Sequence, residues 1–453
     1  MKKTHFTLMI TLLAALVVGC SPDESDENQD IISSKDASIS IEEVGREWMK
    51  LQLKLTKETP GFTPPVAARA FGYTSLALYE AVQAGAEGYQ SLSGQLNGLS
   101  LDKVSIGEND RYHWGVVANS ALAEIVRKCY DNSNDPKRGE HMSMVDSLEA
   151  HFEAVFLLES SQEIVNDSKA YALTKADLIN EYAHGDGQSE CFKTNFPNYT
   201  PPSGHDSLWV PTVDGQKALQ PYWGDVRPFL VVNSTMTMPK APPAFSLDST
   251  SAFWKDVKEV YDSSINLSVE RETIAKYWSD DPGKTATPPG HSVSILEQIL
   301  EKENSNLIIS AEAYARIGMG VHDAFISCWK AKYAYNLVRP VTLLRKYIDA
   351  NYAAPLNTPA FPEYTSGHSV QSGASAKILT DLFGENYSFT DRTHEGRSDI
   401  DGSPREFSSF DHFANEAAIS RLYGGIHYRC AIEEGVSQGK KIGFNIGQLK
   451  FKK

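Results

Sequence analysis

The sequence predicts an all-α protein organised as one large domain. Apolar residues recur at three- and four-residue steps along most of the chain, the period of a helix face. No stretch alternates apolar and polar residues as a half-buried strand would, and no internal repeat is visible. The chain has 453 residues, of which 41% are hydrophobic and 22% charged, an ordinary globular balance that can bury a large core.

Each element follows from that period. Val44, Trp48, Leu51 and Leu55 form one helix face, stopped by Pro60-Gly61. Residues 65–82 continue as an Ala-rich helix with Pro65 near its start. Residues 112–130, 142–158 and 161–182 read as three more helices. Residues 195–243 are rich in Pro, Gly, Trp and Tyr without helical period, and long segments of this kind in compact domains usually serve function or pack as loops. Helices resume at 251–261, 269–278 and 291–302. The strongest run is 308–336, closed by Arg339-Pro340. Residues 368–383 and 412–423 follow, then a helix near the C-terminus.

The N-terminal residues read as a processing signal rather than as part of the fold. Lys2 and Lys3 form a basic start, and residues 6–18 form an apolar run too short to span a bilayer. Val17-Val18-Gly19-Cys20 resembles the bacterial lipobox, with Cys20 as the lipidated residue. The expected organisation is a lipoprotein signal peptide over 1–19, an acidic tether over 20–40 and a helical domain over 41–453. Asp23, Glu24, Asp26, Glu27 and Asp30 make the tether acidic, and it resembles the export signal of Bacteroidetes surface lipoproteins. The implied location is a lipid anchor in the outer membrane, exposed at the cell surface.

The formal net charge is -15, and -17 once Lys2 and Lys3 are removed, which repels nucleic acid and anionic lipid headgroups. A few local cations can still outweigh that diffuse field at an anion site. Besides Cys20 the cysteines are Cys129, Cys191, Cys328 and Cys430. None has zinc, thioredoxin or haem spacing, and buried free thiols are the expected state.

Three short patterns in the last third carry the chemistry. Lys332 and Arg339-Pro340 are seven residues apart, so on a continuous helix their side chains would lie about 20° apart on one face. Two cations there suit a multivalent oxyanion, and the apolar neighbours Tyr333, Tyr335, Leu337 and Val338 argue against a merely solvated basic face. Ser366-Gly367-His368 opens a helix, where unpaired amides and a close backbone approach favour an anion. Ser420-Arg421 precedes His427, and Gly424-Gly425 between them can supply the break that lets Arg421 and His427 converge. A single match means little: Pro202-Ser203-Gly204-His205 repeats the second pattern in the loop-like segment. That copy and Pro289-Gly290-His291 are read as non-catalytic.

Lys-x6-Arg-Pro, Ser-Gly-His and Ser-Arg-x5-His in this order resemble the signature of the superfamily of type 2 phosphatidic acid phosphatases and vanadium-dependent haloperoxidases. The resemblance is strongest over residues 308–435. Tyr222-Trp223-Gly224-Asp225, Tyr277-Trp278-Ser279-Asp280-Asp281, Trp329 and Phe361 resemble the bacterial haloperoxidase branch, and the marine bacterial iodoperoxidases above all.

That resemblance implies a vanadate cofactor, with hydrogen peroxide and halide as substrates. Lys332, Arg339, Ser366, Gly367 and Arg421 would bind the vanadate oxygens, and His427 would ligate vanadium axially. His368 would be the acid/base group, Lys332 would polarise the peroxide, and Trp329 and Phe361 would border the halide site. A family carboxylate at a similar place points to Asp281 as support for Arg421. Iodide, then bromide, are the implied halides. One departure stands out. Many phosphatases of the superfamily carry an Asp four residues after the last His, and here that position is Ala431, leaving a backbone carbonyl to orient His427. An acid phosphatase using His427 as nucleophile is the alternative, and a surface binding protein on an inactive scaffold is a third.

Overall fold

A computed structural model describes Ala37, residues 43–101 and residues 111–453. The signal peptide, Cys20 and nearly all of the acidic tether lie outside these residues. Fourteen α-helices are present among the described residues, with one hairpin of two three-residue strands. The helices are α1 (Glu43–Glu58), α2 (Pro64–Val82), α3 (Trp114–Tyr130), α4 (Arg138–Phe156), α5 (Gln162–His184), α6 (Val231–Thr235) and α7 (Ala252–Ser264). They continue as α8 (Val269–Tyr277), α9 (Thr287–Lys302), α10 (Leu307–Tyr335), α11 (Pro340–Tyr347), α12 (Gly367–Phe383), α13 (Phe410–Tyr423) and α14 (Arg429–Gly447). Strands β1 (Phe389–Asp391) and β2 (Arg405–Phe407) pair antiparallel.

Local chemistry sets the ends. Ser161, Ser251 and Asn306 cap α5, α7 and α10, each side chain accepting from a backbone amide three residues on. Pro residues occupy the first turns of α2, α9 and α11, where a missing amide costs nothing. No helix of the described residues is long and apolar enough to cross a membrane.

The 29-residue α10 runs through the core, packed against α2 and α12, while α12 also packs along α14. Gly435, Gly439 and Gly443 put a bare stripe on α14. A Cβ at Gly439 would stand 2.0 Å from the Val370 carbonyl oxygen, and one at Gly443 would stand 2.6 Å from that of Ala374. The backbones of α12 and α14 therefore touch, which fixes the start of α12 against the residues that follow His427. A large apolar core around α2, α3, α10 and α12 contains Trp329. A second, smaller cluster gathers Val338, Tyr364, Tyr428 and Ala431. Lys332, Arg339, Glu363 and His427 lie where the two meet.

The sequence reading of this region needs three corrections. Helix α10 does not run to Arg339. It ends at Tyr335, Asn336 turns left-handed with φ 46°, and Arg339 caps the separate helix α11. Short α6 lies inside the segment read as aperiodic, and the β1–β2 hairpin was invisible because three-residue strands are too short to show alternation.

Candidate active site

Lys332 and Arg339 converge on the loop before α12 rather than on a shared helix face. Their charged ends each lie 4.9 Å from the ring centre of Phe361. Lys332 Nζ donates to the carbonyls of Pro362 (3.1 Å), Glu363 (2.9 Å) and Thr365. All three of its protons are thereby committed to backbone. Burial pushes this ammonium down to about 7. Arg339 Nε donates to the Phe361 carbonyl (2.8 Å) and Nη1 to that of Ile426 (2.9 Å), whereas Nη2 is buried without a partner. Trp329 packs on Phe361 with ring centres 4.8 Å apart, so the two aromatics wall one side.

Arg421 and His427 meet as the paired glycines allow. Helix α13 ends at Tyr423, Gly425 adopts φ 72°, and the Ile426 amide folds back onto the Arg421 carbonyl (3.2 Å). Arg421 Nη1 donates to the Trp278 carbonyl (2.7 Å), and its Nε is buried and unpartnered. Burial lowers Arg339 and Arg421 each to about 10, so both remain cations at neutral pH. Asp281 is exposed and makes no hydrogen bond to Arg421 among the described contacts; it acts there only as a nearby negative charge. The hydrogen bond of Arg421 goes to the Trp278 carbonyl.

Ser366 caps α12 by accepting from the Ser369 amide (3.3 Å), so the Gly367 and His368 amides open toward the same space. A Cβ at Gly367 would meet only Trp329 and Phe325 at ordinary contact distances of 3.6 and 3.8 Å. Packing does not require glycine there, which leaves the space in front of the helix start as the reason for it. His368 is half-buried, and its Nε2 has no partner. Burial and the Arg421 charge hold His368 well below its ordinary value, in the neutral form.

The fourth contributor, Glu363, escaped the sequence reading. Its Oε1 lies 2.7 Å from His427 Nδ1 and accepts the Tyr428 amide at 2.9 Å. This corrects the expectation of a backbone carbonyl at His427: the carboxylate missing at position 431 is supplied from the loop before α12. Ala431 serves differently, its carbonyl accepting the Ser366 amide at 3.1 Å. On the other side, Arg339 Nη1 is 3.4 Å from His427 Nε2. Arginine can only donate, so Nε2 must be the lone-pair nitrogen and Nδ1 the protonated one. Burial, with Arg339 and Lys332 adding to it, holds His427 well below the usual range. A neutral imidazole thus presents its lone pair to the cage.

The cage is short of negative charge. Lys332, Arg339 and Arg421 are buried and none of them is hydrogen-bonded to a carboxylate, Glu363, Asp280 and Asp281 acting on them only as nearby charges, and buried cations without such a partner are costly. The unpartnered Arg339 Nη2, Arg421 Nε and His368 Nε2 are donors or acceptors left for something else. A tetrahedral oxyanion with an acceptor on every face fits that set, and a neutral histidine lone pair fits its metal centre. His205, by contrast, is exposed, bonded to Ser207 and packed edge-on against Phe245, outside the cage.

Comparison with solved structures places the fold. A bacterial vanadium-dependent iodoperoxidase superposes with a TM-score of 0.78 at 36% sequence identity, over 88% of this chain and 95% of the other. The chain belongs to the vanadium-dependent haloperoxidases. Two structures of bacterial vanadium-dependent chloroperoxidase, holo and apo, share the haloperoxidase fold at TM-scores of 0.64 with 16% and 15% identity. They cover 86% and 88% of this chain, and 92% and 99% of their own. The family model of the VCPO second helical-bundle domain matches residues 312–450, the stretch that holds most of the cage. No curated protein sequence matches the chain.

The loop from 195 to 243 is fixed to α10. Its turn Trp223–Asp225 lies so close to α10 that a Cβ at Gly224 would stand 2.7 Å from the Lys330 Cα. Buried Asp323 on α10 then ties the loop down, accepting from the Phe229 and Leu230 amides (2.7 and 3.0 Å) and from Asn233 Nδ2 (2.8 Å). Neither Glu363 nor Asp323 carried a spacing signal. The only hint was a carboxylate set among apolar neighbours, as in Phe361-Pro362-Glu363-Tyr364. All four described cysteines are free thiols.

Proposed function

We propose that this haloperoxidase oxidises iodide, and bromide after it, with hydrogen peroxide, using vanadate held in the cage of Lys332, Arg339, Ser366, Gly367, Arg421 and His427. It is a peroxidase-type oxidoreductase of the vanadate-dependent class, and the halide order rests on its likeness to the iodoperoxidase. The observation that carries the reading is the fixed neutral tautomer of His427, with Nε2 at Arg339 Nη1, in a cage where Arg339 Nη2 and Arg421 Nε are buried without partners. Bound vanadate supplies Lewis acidity toward peroxide without changing oxidation state.

The chain's own residues do the rest. Arg339 Nη2 and Arg421 Nε donate to the oxyanion, and the start of α12 adds its amides. His368, neutral and with Nε2 free, accepts the proton that hydrogen peroxide gives up and returns it to the departing oxygen. Lys332 reaches the oxyanion by exchanging one of its three carbonyl contacts, which makes it the adjustable cation of the cage. Trp329 and Phe361 give a large, polarisable halide an apolar, aromatic border.

The Glu363–His427 pair also favours a second reading. A carboxylate-oriented imidazole can attack phosphorus, so the lack of an Asp at position 431 is no argument against phosphatase chemistry. Apo-protein incubated with vanadate and assayed with peroxide and each halide, beside a phosphomonoester assay without vanadate, separates the two. Vanadate-dependent iodide oxidation with weak ester hydrolysis is expected. Ester hydrolysis that vanadate only inhibits, with no halide oxidised, would replace this reading by the phosphatase one.

The protein is further proposed to act from the outer membrane, held by a lipid on Cys20 and exposed through the acidic tether. The support is the sequence Val17-Val18-Gly19-Cys20 with the acidic run that follows it.

A further inference from the structure

The Pro-Gly-His segment set aside as non-catalytic lies in a second cluster with chemistry of its own. His291, in the second turn of α9, meets Asp280 from the turn after α8 and His394 from the loop after β1. The possible ligand atoms of these three lie within 4.8 Å of one another, and all three side chains are buried. His291 Nδ1 is 2.9 Å from Asp280 Oδ2, and His394 Nε2 is 3.4 Å from Asp280 Oδ1. A tetrahedral zinc ion with bonds of about 2.0–2.1 Å spaces its ligand atoms about 3.3 Å apart, so little adjustment is needed.

Two observations point to a ligand rather than to a closed structural network. First, the buried His394 Nε2 and Asp280 Oδ1 have only each other in reach, at 3.4 Å and without well-formed hydrogen-bond geometry. Second, the far side of His291 is already built as metal-site histidines usually are. Its Nε2 is 2.7 Å from Asp391 Oδ2, a carboxylate held by the Tyr277 hydroxyl (2.8 Å) and the Thr393 amide (2.9 Å). Asp391 lies outside the group of three possible ligands and orients the ring of His291. Trp278 stacks on His291 at 4.5 Å and 19°, and Tyr277 packs edge-on against His394 at 4.7 Å, so neither imidazole can swing away. Asp280, His291 and His394 line the floor of an open surface pocket of about 840 Å³, which gives an ion a way in.

We propose that Asp280, His291 and His394 bind a divalent transition-metal cation of the zinc type, separate from the vanadate cage. Two imidazoles and one carboxylate select a borderline-soft ion over magnesium or calcium, which prefer oxygen ligands. An ion entering between Asp280 and His291 takes the place of the proton they share. The fourth position faces the pocket, open to water or a small anion. Trp278 links the two centres, since its carbonyl accepts Arg421 Nη1 while its ring lies on His291.

The test is zinc binding by tag-free full-length protein in competition with a chromophoric chelator, with cobalt(II) as spectroscopic probe. One zinc per chain is expected, with a tetrahedral cobalt absorption. His394→Gln and Asp280→Asn should each weaken binding by more than about a hundredfold, and Asp391→Asn by about 10–100-fold. Zinc should raise the melting temperature of the wild type and leave that of His394→Gln unchanged, which separates lost binding from lost folding. His427→Ala should bind zinc as the wild type does. No stoichiometric zinc, zinc binding undiminished in His394→Gln, or binding lost in His427→Ala would each overturn the assignment.

Discussion

Glu363 Oε1 lies 2.7 Å from His427 Nδ1, and Arg339 Nη1 lies 3.4 Å from Nε2 of the same ring. The two contacts act as one device: the carboxylate accepts the Nδ1–H hydrogen bond on one side, and the guanidinium requires a lone pair on the other. Glu363 is itself pushed up to about 7 by burial, against the pull of Arg339 and Lys332. Its charge at neutral pH thus depends on those cations. Glu363→Gln should weaken vanadate binding about 10–100-fold, the usual effect of removing a ligand's orienting partner. Equilibrium dialysis with vanadate checks this, and an unchanged affinity would show that His427 needs no carboxylate.

The two site histidines should separate cleanly. His427→Ala should abolish vanadate retention, because the proposed metal ligand is gone. His368→Ala should retain vanadate but lose turnover by about 10²–10⁴-fold, the range of lost acid/base help. Vanadate content and iodide oxidation measured on the same samples decide it. Equal vanadate affinity in wild type and His427→Ala would mean that the ligand is another residue.

Arg421→Ala removes the unpartnered Nε together with a cation. A hydrogen bond to a charged group contributes about 1.5–3 kcal/mol, so vanadate affinity should fall by about ten- to more than a hundredfold. His205→Ala, at an exposed ring outside the cage, should change neither affinity nor turnover. The reverse pattern would misplace the whole site.

Anion affinity should depend on pH through Lys332 and Glu363, both brought to about 7 by burial. As pH falls through this value Lys332 gains a positive charge and Glu363 loses a negative one. Both changes favour an anion. His368 and His427 stay neutral in this window, held well below their usual range. Sulfate, whose charge is constant here, should therefore bind apo-protein more tightly at about pH 6 than at about pH 9. The same linkage makes the apo-protein gain stability from Lys332 as pH rises from about 7 toward its unfolded value of about 10.4, since the unfolded chain then holds the extra proton. Sulfate titrations by calorimetry in the wild type and in Lys332→Met check the first point. A flat profile in the wild type would show that neither group titrates in the cage.

Cys20→Ser should block lipoprotein maturation and move the protein out of the membrane fraction, while the folded domain keeps its halide-oxidising activity. Mass spectrometry of the N-terminus with membrane fractionation reads this directly. Native protein found wholly in the soluble periplasmic fraction without an acyl group would remove the anchor.

The sequence by itself determined the helices and the contents of the cage. Helical period is local, so α1, α10 and α12 could be read from spacing to within two or three residues at each end. The cage residues stood out because few side chains can hold an oxyanion, and Gly424-Gly425 announced the turn that joins Arg421 to His427. What the sequence could not hold was how distant segments close on one another. A continuous helix from Lys332 to Arg339 was the natural local expectation, yet the left-handed Asn336 breaks it and the two cations meet over Phe361 instead. The carboxylate that fixes His427 arrives from 64 residues away, and Asp391 reaches His291 across 100. Such pairings leave no period in the chain, because hydrogen bonds between buried groups depend on the packing of whole elements. The bare glycine stripe that lets α14 lie against α12 is what sets Glu363, Ser366 and His427 within reach of one another.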